Sequence, residues 1–248
     1  MCSGGIGAGL VDEFVKGGAK VIITGRHEEE LKKVQAKHPQ QVVKYYVSDA
    51  GKEADRIALF EQSTKDFPAL NVLINNAGIM RRGANQTAEI YLPWSERQVE
   101  LDVNLSGPIH LTSLFIPHLL KQKQSAIVNN TSGLAFVPFT SDPVYSVSKA
   151  GLHMYTLAMR PLLADTSVRV VEIIPPAITG TKLGGTGTPH GDPVDEYCAE
   201  TYAAFVDGQL EIGFRRSNMM RMADRATQHT AMMAVHGMLP PETFGKKK

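Results

Sequence analysis

Apolar positions along the chain change their period repeatedly, and each change marks an element. Ile6, Leu10 and Phe14 step by four, the spacing of one helix face, and Gly17-Gly18 ends that helix. Residues 21–24 (VIIT) form a short continuous apolar run, which predicts a buried strand. Glu28–Lys37 is rich in charge and predicts a helix with a solvated face, whereas Val42–Val47 alternates weakly and predicts a strand. Ile57 and Phe60 mark the next helix, and residues 72–74 (VLI) the next strand. Residues 81–91 are polar without a period, so a loop is expected over the site that follows. Ser95 and Gln98 stand at capping-box spacing and open a long helix running past Leu120, with an interruption near Pro117. Residues 126–128 (AIV) read as a buried strand, and a helix carries on from Tyr145 through Leu152, Tyr155 and Leu162-Leu163. Val168–Ile174 supplies another buried strand.

Size and composition narrow the class. A chain of 248 residues with 43% hydrophobic content suits one α/β domain with a full core, and no break in composition suggests a second. A formal net charge of +1 gives no general field for nucleic acid or an anionic membrane. The sequence shows no apolar run of membrane-spanning length and no leader pattern, so the expected location is cytoplasmic. Cys2 and Cys198 are too few for a disulfide framework or a metal site, and no metal is expected. His110 and His118 lack a Cys/His cluster and read as surface or packing residues. Met219, Met220, Met222, Met232 and Met233 read as adaptable core or pocket lining, and Lys246-Lys247-Lys248 as a solvated tail.

The candidate chemistry lies between residues 131 and 149, which set a hydroxyl, a phenol and an ammonium at fixed intervals: Ser132, Tyr145 and Lys149. Tyr145 and Lys149 are one helical turn apart, so a helix beginning near Tyr145 sends both side chains from the same face. A neighbouring ammonium favours the phenolate, so Lys149 is expected to lower the Tyr145 pKa toward neutrality and make it a usable proton donor and acceptor. Ser132 follows an apolar strand and is placed to steady a substrate oxygen.

With these three, the order Gly5-Ile6-Gly7, Asp49, Asn75-Asn76-Ala77-Gly78 and Asn104 resembles the short-chain dehydrogenase/reductase superfamily over nearly the whole chain. The phrasing INNAGIMR at residues 74–81, SGLAFVP at 132–138 and IPPA at 174–177 resembles its DltE-like branch of oxidoreductases. The resemblance implies a doubly wound, Rossmann-type three-layer sandwich with a mostly parallel sheet, forming a single NAD(P)-binding domain over residues 1–248. It implies that Gly5, Ile6 and Gly7 meet the pyrophosphate at a helix N-terminus. Asp49 is implied to bond the adenine, and Asn76, Ala77 and Gly78 to lie along the ribose; a lone Asp after a strand is also a helix N-cap, and the two roles are compatible. Tyr145 and Lys149 contact the cofactor as well. Pro175 and Thr179 fall at its nicotinamide end, with Thr181 an equal alternative to Thr179. Asn104, through its side chain or a local kink, is implied to hold a water linking Lys149 to solvent. NAD-preferring relatives carry an acidic residue after the second strand, where this chain has Gly25 followed by Arg26. A guanidinium there pairs with a 2′-phosphate, so NADP is expected over NAD.

The chain also departs from the pattern. Counting back from Gly5 puts Met1 where the first glycine of the motif belongs, and the strand before it is absent. That strand is central in the family's sheet, so unpaired backbone groups and an apolar trough are expected in its place. Two explanations stand: a start codon assigned too late, or a shortened product. Pro176 replaces the more common glycine, as in the DltE-like branch, and neither a familiar final strand nor the usual closing Asp-Gly-Gly is seen. Residues 184–193, rich in Gly, Thr and Pro, suit a mobile lid.

The leading expectation is an NADP-dependent carbonyl reductase or alcohol dehydrogenase acting on a small molecule. Phe136, Phe139, Tyr91 and Trp94 suggest an apolar pocket. The rival is a catalytically defective or non-enzymatic cofactor-binding chain of the same fold, and a third is an epimerase or dehydratase. Family habit packs the helices around Asn104 and Tyr145 against a second subunit, which implies a homodimer or homotetramer.

Overall fold

The computed structural model describes residues 5–81, 91–181, 183, 191–224, 226–228, 230 and 232. The expectations for Cys2, for most of the 81–91 loop and the 184–193 lid, for Met233 and for the lysine tail fall outside these residues. Helix and strand alternate along the chain: α1 (Gly5–Lys16), β1 (Val21–Gly25), α2 (Glu28–Lys37), β2 (Val42–Val47), α3 (Glu53–Asp66), β3 (Val72–Asn75) and α4 (Trp94–Leu101). There follow α5 (Gly107–Leu119), β4 (Ser125–Asn130), α6 (Pro143–Leu163), β5 (Val168–Ile174), α7 (Val194–Val206), β6 (Glu211–Gly213) and α8 (Arg216–Met222).

Every strand pairing is parallel, but the sheet is in two parts: β1 with β2, and β3-β4-β5-β6 in that order. Strands β4 and β5 lie at the centre of the larger part, and except for Arg169 every residue in them is buried, as parallel strands covered on both faces require. On one face Val171 and Ile173 pack with Leu10 of α1 and Tyr197 of α7; on the other Val168 and Val170 pack with Phe115 of α5 and Met159 of α6. This is the expected helix-sheet-helix sandwich. Val11, Ile23, Leu31 and Val42 make a separate core for the β1–β2 unit.

Among the described residues β1 pairs only with β2, and β3 only with β4. Thr24 and Gly25 of β1 face Leu73, Ile74 and Asn75 of β3 across a cavity of about 80 Å³. The trough expected from the departing N-terminal pattern is therefore present.

Four expectations are corrected. No capping box forms: α4 starts at Trp94 behind Pro93, which as N-cap offers no side-chain acceptor, and the Gln98 amide instead donates to Asp102 Oδ1 at 3.0 Å. The long helix is interrupted by a π turn at Asp102–Ser106 and not at Pro117, which sits in the last turn of α5, where its missing N–H costs one ladder bond before the helix closes. A short final strand does exist, since Glu211–Gly213 pairs with β5; three residues are too few to show a period. Met219 and Met222 are exposed, because α8 turns only one side to the protein. Met220 does pack inward: a Cβ added at Gly133 would lie 2.8 Å from its sulfur.

Candidate active site

The C-terminal ends of β3 and β4 are tied by amides. Asn75 and Asn129 are register partners, and Asn75 Nδ2 donates to Asn129 Oδ1 at 2.8 Å. Asn130 Nδ2 donates to Asn76 Oδ1 at 2.7 Å. Asn75 and Asn76 thus join the two strand ends, which fixes the exit of β4 toward Ser132. There a 3₁₀ turn (Gly133–Ala135) bends the chain, with Ser132 Oγ accepting the Leu134 N–H at 3.1 Å and Gly133 N–H donating to Pro175 O at 3.1 Å.

Helix α6 begins at Pro143, whose fixed φ and missing N–H suit the first turn, so Tyr145 and Lys149 share a face as the spacing predicts. Tyr145 is 4% exposed and Lys149 3%. The structure brings Ser132 to Tyr145, and their side chains are hydrogen-bonded. It does not put the ammonium on the phenol. Lys149 Nζ donates to Asn130 O at 2.8 Å and stands 5.7 Å from the Tyr145 ring centroid.

This overturns the expected lowering of the Tyr145 pKa. Burial raises it above the ordinary phenol value, the Ser132 bond lowers it, and the charges of Glu100 and Asp142 raise it further. Tyr145 is therefore held neutral, in the form that donates a proton. Lys149 moves the other way: burial pulls it down to about 8, and Glu100 opposes the fall.

Asn104 is buried in the π turn. Its Oδ1 accepts the Ile79 N–H at 2.9 Å, and its Nδ2 donates to Ile79 O at 2.7 Å and to Ser148 Oγ at 3.2 Å. The side chain is thus committed to pinning the segment after β3 against α6, and only the kink remains for the water expected there. Gly78 lies in the same place: a Cβ on it would be 3.5 Å from Lys149 Nζ and 3.6 Å from Asn104 Oδ1.

Of the residues expected at a cofactor, Arg26, Asp49, Asn76 and Ala77 converge on the wall of the cavity between β1 and β3, with Arg26 exposed at its rim. Asp49 is not a helix cap: Lys52 is the N-cap of α3, and Asp49 Oδ1 accepts the Gly51 N–H at 3.0 Å. Gly5, Ile6, Gly7, Pro175 and Thr179 do not line that cavity. Gly5 opens α1 at φ +52°, where a Cβ would meet Thr181 Cγ2 at 3.0 Å, and the first turn of α1 carries no acidic residue. Thr181 lies beside the helix N-terminus with its methyl toward Gly5 and its hydroxyl donating to Ile178 O at 2.9 Å, while Thr179 Oγ1 donates to Asp192 O at 3.2 Å. The residues present fit a dinucleotide on two counts. Among the described residues the first turn of α1 carries no acidic side chain, as an anion needs, and Asn130 Oδ1 is a buried acceptor without a partner beside the Lys149 anchor, as a sugar hydroxyl needs.

Three functional candidates escaped the sequence reading. Glu100 is fully buried, accepts the Arg81 N–H at 2.7 Å and acts electrostatically on both Tyr145 and Lys149. Its signal is a position one turn before Asn104. Glu172 is an acid inside an apolar strand, and His153 lies one turn beyond Lys149; both are legible as anomalies of pattern.

The model of the short chain dehydrogenase family matches residues 2–189. The chain belongs to that family. It is 38% identical over 231 residues to the uncharacterized oxidoreductase DltE of Bacillus subtilis, covering 90% of this chain and 89% of the relative. An uncharacterized oxidoreductase of Staphylococcus saprophyticus is 31% identical over 186 residues, 74% of this chain and 77% of that protein. Among solved structures, a short-chain dehydrogenase from Sphingobium yanoikuyae in complex with NADPH superposes with a TM-score of 0.76 at 19% identity, covering 99% of this chain and 95% of that one. The 3-ketoacyl-(acyl-carrier-protein) reductase of Brucella melitensis complexed with NADH gives 0.76 at 26% identity, over 85% and 92%. The chain is thus a short-chain dehydrogenase of the DltE-like oxidoreductase branch, with the α/β fold of nicotinamide-binding neighbours. Among its described residues no helix is long and apolar enough to cross a membrane, and no cluster of three metal-ligating side chains occurs.

Proposed function

We propose that this short-chain dehydrogenase is an NADP-dependent oxidoreductase that interconverts a small carbonyl compound and its secondary alcohol, with Tyr145 as the acid/base. The observation that carries the reading is the buried, neutral Tyr145 bonded to Ser132, with Lys149, its pKa pulled down to about 8, one turn away. In the reducing direction Ser132 holds the carbonyl oxygen and Tyr145 delivers a proton to it. Lys149 supplies positive charge as negative charge develops on the Tyr145 oxygen, and Glu100 keeps that lysine protonated to higher pH than burial alone would allow. A nicotinamide cofactor, when bound, supplies or takes the hydride. Gly5, Ile6 and Gly7 would hold its pyrophosphate, Arg26 its 2′-phosphate, Asp49 its adenine, and Asn76, Ala77, Gly78, Tyr145 and Lys149 its ribose, with Pro175 and Thr179 or Thr181 toward the nicotinamide. The apolar residues Val147, Met154 and Leu162 lie exposed along α6 and support self-association into a dimer or tetramer.

The divided sheet favours a second reading, in which the chain folds but binds cofactor too weakly to turn over. A titration with NADPH and NADH, followed by nicotinamide fluorescence and thermal melting, separates the two. Saturable binding tighter for NADPH, with carbonyl-dependent oxidation of the bound cofactor, is expected. Absence of binding with a broad melt would sink the first reading for this chain.

A further inference from the structure

Tyr145, Lys149 and His153 succeed one another at one-turn intervals on one face of α6, and each meets a group at the C-terminal end of the sheet. Tyr145 meets Ser132, and Lys149 meets Asn130 O. The third rung is a buried acid. His153 Nδ1 lies 3.0 and 2.9 Å from the two carboxylate oxygens of Glu172, which is 0% exposed in the C-terminal half of β5. Glu172 Oε1 also accepts the Thr131 hydroxyl at 2.7 Å. Thr131 directly precedes Ser132 and is held a second time where its N–H donates to Ile173 O at 2.9 Å. On the far side of the turn, the Phe136 ring packs on the His153 imidazole with centroids 4.5 Å apart. Both ends of the segment that carries Ser132 therefore converge on one His–Glu pair.

Packing does not require this. Val168, Val170 and Ile174 share the strand face of Glu172 and are apolar. Burying an ionisable pair costs several kcal/mol per ion unless geometry and hydrogen bonds offset it. What the carboxylate adds over an apolar side chain is direction, because it fixes one hydroxyl and one imidazole nitrogen at set distances.

We propose that Thr131, His153 and Glu172 form a positioning network that holds the Ser132 turn against α6 and so sets the hydrogen bond between Ser132 and Tyr145. The inference rests on Ser132 and Tyr145 being the reacting groups. None of the three network residues touches the reacting atoms; they act through Ser132.

The test is Thr131→Val, which removes the hydroxyl and keeps the shape, with Thr131→Ser as the conservative rescue and Glu172→Gln as a second route should the valine variant fold poorly. Amide hydrogen exchange at Gly133 and Leu134 reads the turn directly. Exchange at least tenfold faster in the valine variant, with α3 amides unchanged, is expected. Carbonyl reduction with NADPH reads the consequence: kcat per folded molecule falls about tenfold, as a small misplacement of a reacting group does, while KM for NADPH stays the same. Thr131→Ser restores both. Unchanged exchange overturns the network, and so does a lower Tm with unaltered kcat, which is what a merely structural role gives. If the unmodified chain reduces no carbonyl with either nicotinamide, the reading of the site fails, and the exchange data alone decide whether the network holds the turn.

Discussion

Lys149 reaches past the phenol of Tyr145 and donates to the carbonyl oxygen of Asn130 at 2.8 Å, which staples the helix carrying Tyr145 to the strand that delivers Ser132. The ammonium is thereby taken out of water. Its pKa falls to about 8 from the ordinary lysine value of 10.5. The same burial acts on a phenol with the opposite sign and keeps Tyr145 protonated.

A stability consequence follows from that fall. Between about 8 and 10.5 the unfolded chain holds a proton on residue 149 that the folded chain has lost, so this group makes stability rise with pH across that window. Below it the cost of the buried charge is fully present. Lys149→Met removes the charge but leaves Asn130 O short of a donor, for a net gain of about 1–2 kcal/mol at pH 7. Thermal melts should show a Tm higher by a few degrees at pH 7 and a difference that shrinks by pH 10, with turnover lost.

Glu100 raises the pKa of both Tyr145 and Lys149. Glu100→Gln keeps an acceptor for the Arg81 N–H and removes the charge. The alkaline limb of kcat/KM for carbonyl reduction is expected to move to lower pH. An unmoved limb would show that Lys149 does not set it.

Tyr145→Phe removes the proposed proton donor and leaves the ring. Loss of about 10²–10⁴-fold in kcat is expected, the range for general acid catalysis, with NADPH affinity by fluorescence titration little changed. Retained turnover would rule out the tyrosine mechanism.

Arg26 stands exposed at the cavity rim, next to Gly25 and across from Asn76. Arg26→Glu replaces the proposed phosphate partner with a repelling charge. The Kd for NADPH should rise about tenfold or more, for the loss of a charge-assisted bond, while that for NADH changes little. Equal losses with both cofactors would assign Arg26 to the adenine instead.

The facing edges of β1 and β3 pair with no strand among the described residues. A chain carrying Met1→Gly and extended ahead of it by a short apolar strand ending in Thr should seat that strand there in parallel, giving those backbone groups partners. A higher Tm, a sharper transition and tighter NADPH binding are the expected readouts. An unchanged melt would mean that the gap closes on itself.

Much of the fold was legible because its signals are local. Val168–Ile174 and Glu28–Lys37 occupy the predicted spans, since a buried parallel strand is mostly apolar and a surface helix mostly charged, with Leu31 the residue that α2 buries. β6 escaped because three residues carry no period, and its place is decided by the edge of β5. The π turn was legible only as the local kink implied at Asn104; it lies just before Gly107-Pro108, where the proline cannot donate to the Asn104 carbonyl, and Asn104 there reaches Ile79 on one side and Ser148 on the other.

The sequence by itself determined the family, the alternating α/β layout, and the identity and helical spacing of Ser132, Tyr145 and Lys149, because these depend on residue type and on separations along one chain. Only the tertiary structure decided their protonation. A pKa depends on burial and on every charge nearby, and Glu100 and Asp142 arrive at the site from two different segments. The sign expected for Tyr145 failed for that reason: the sequence showed the ammonium one turn away, and the fold showed that water was gone from both and that the ammonium had found a carbonyl.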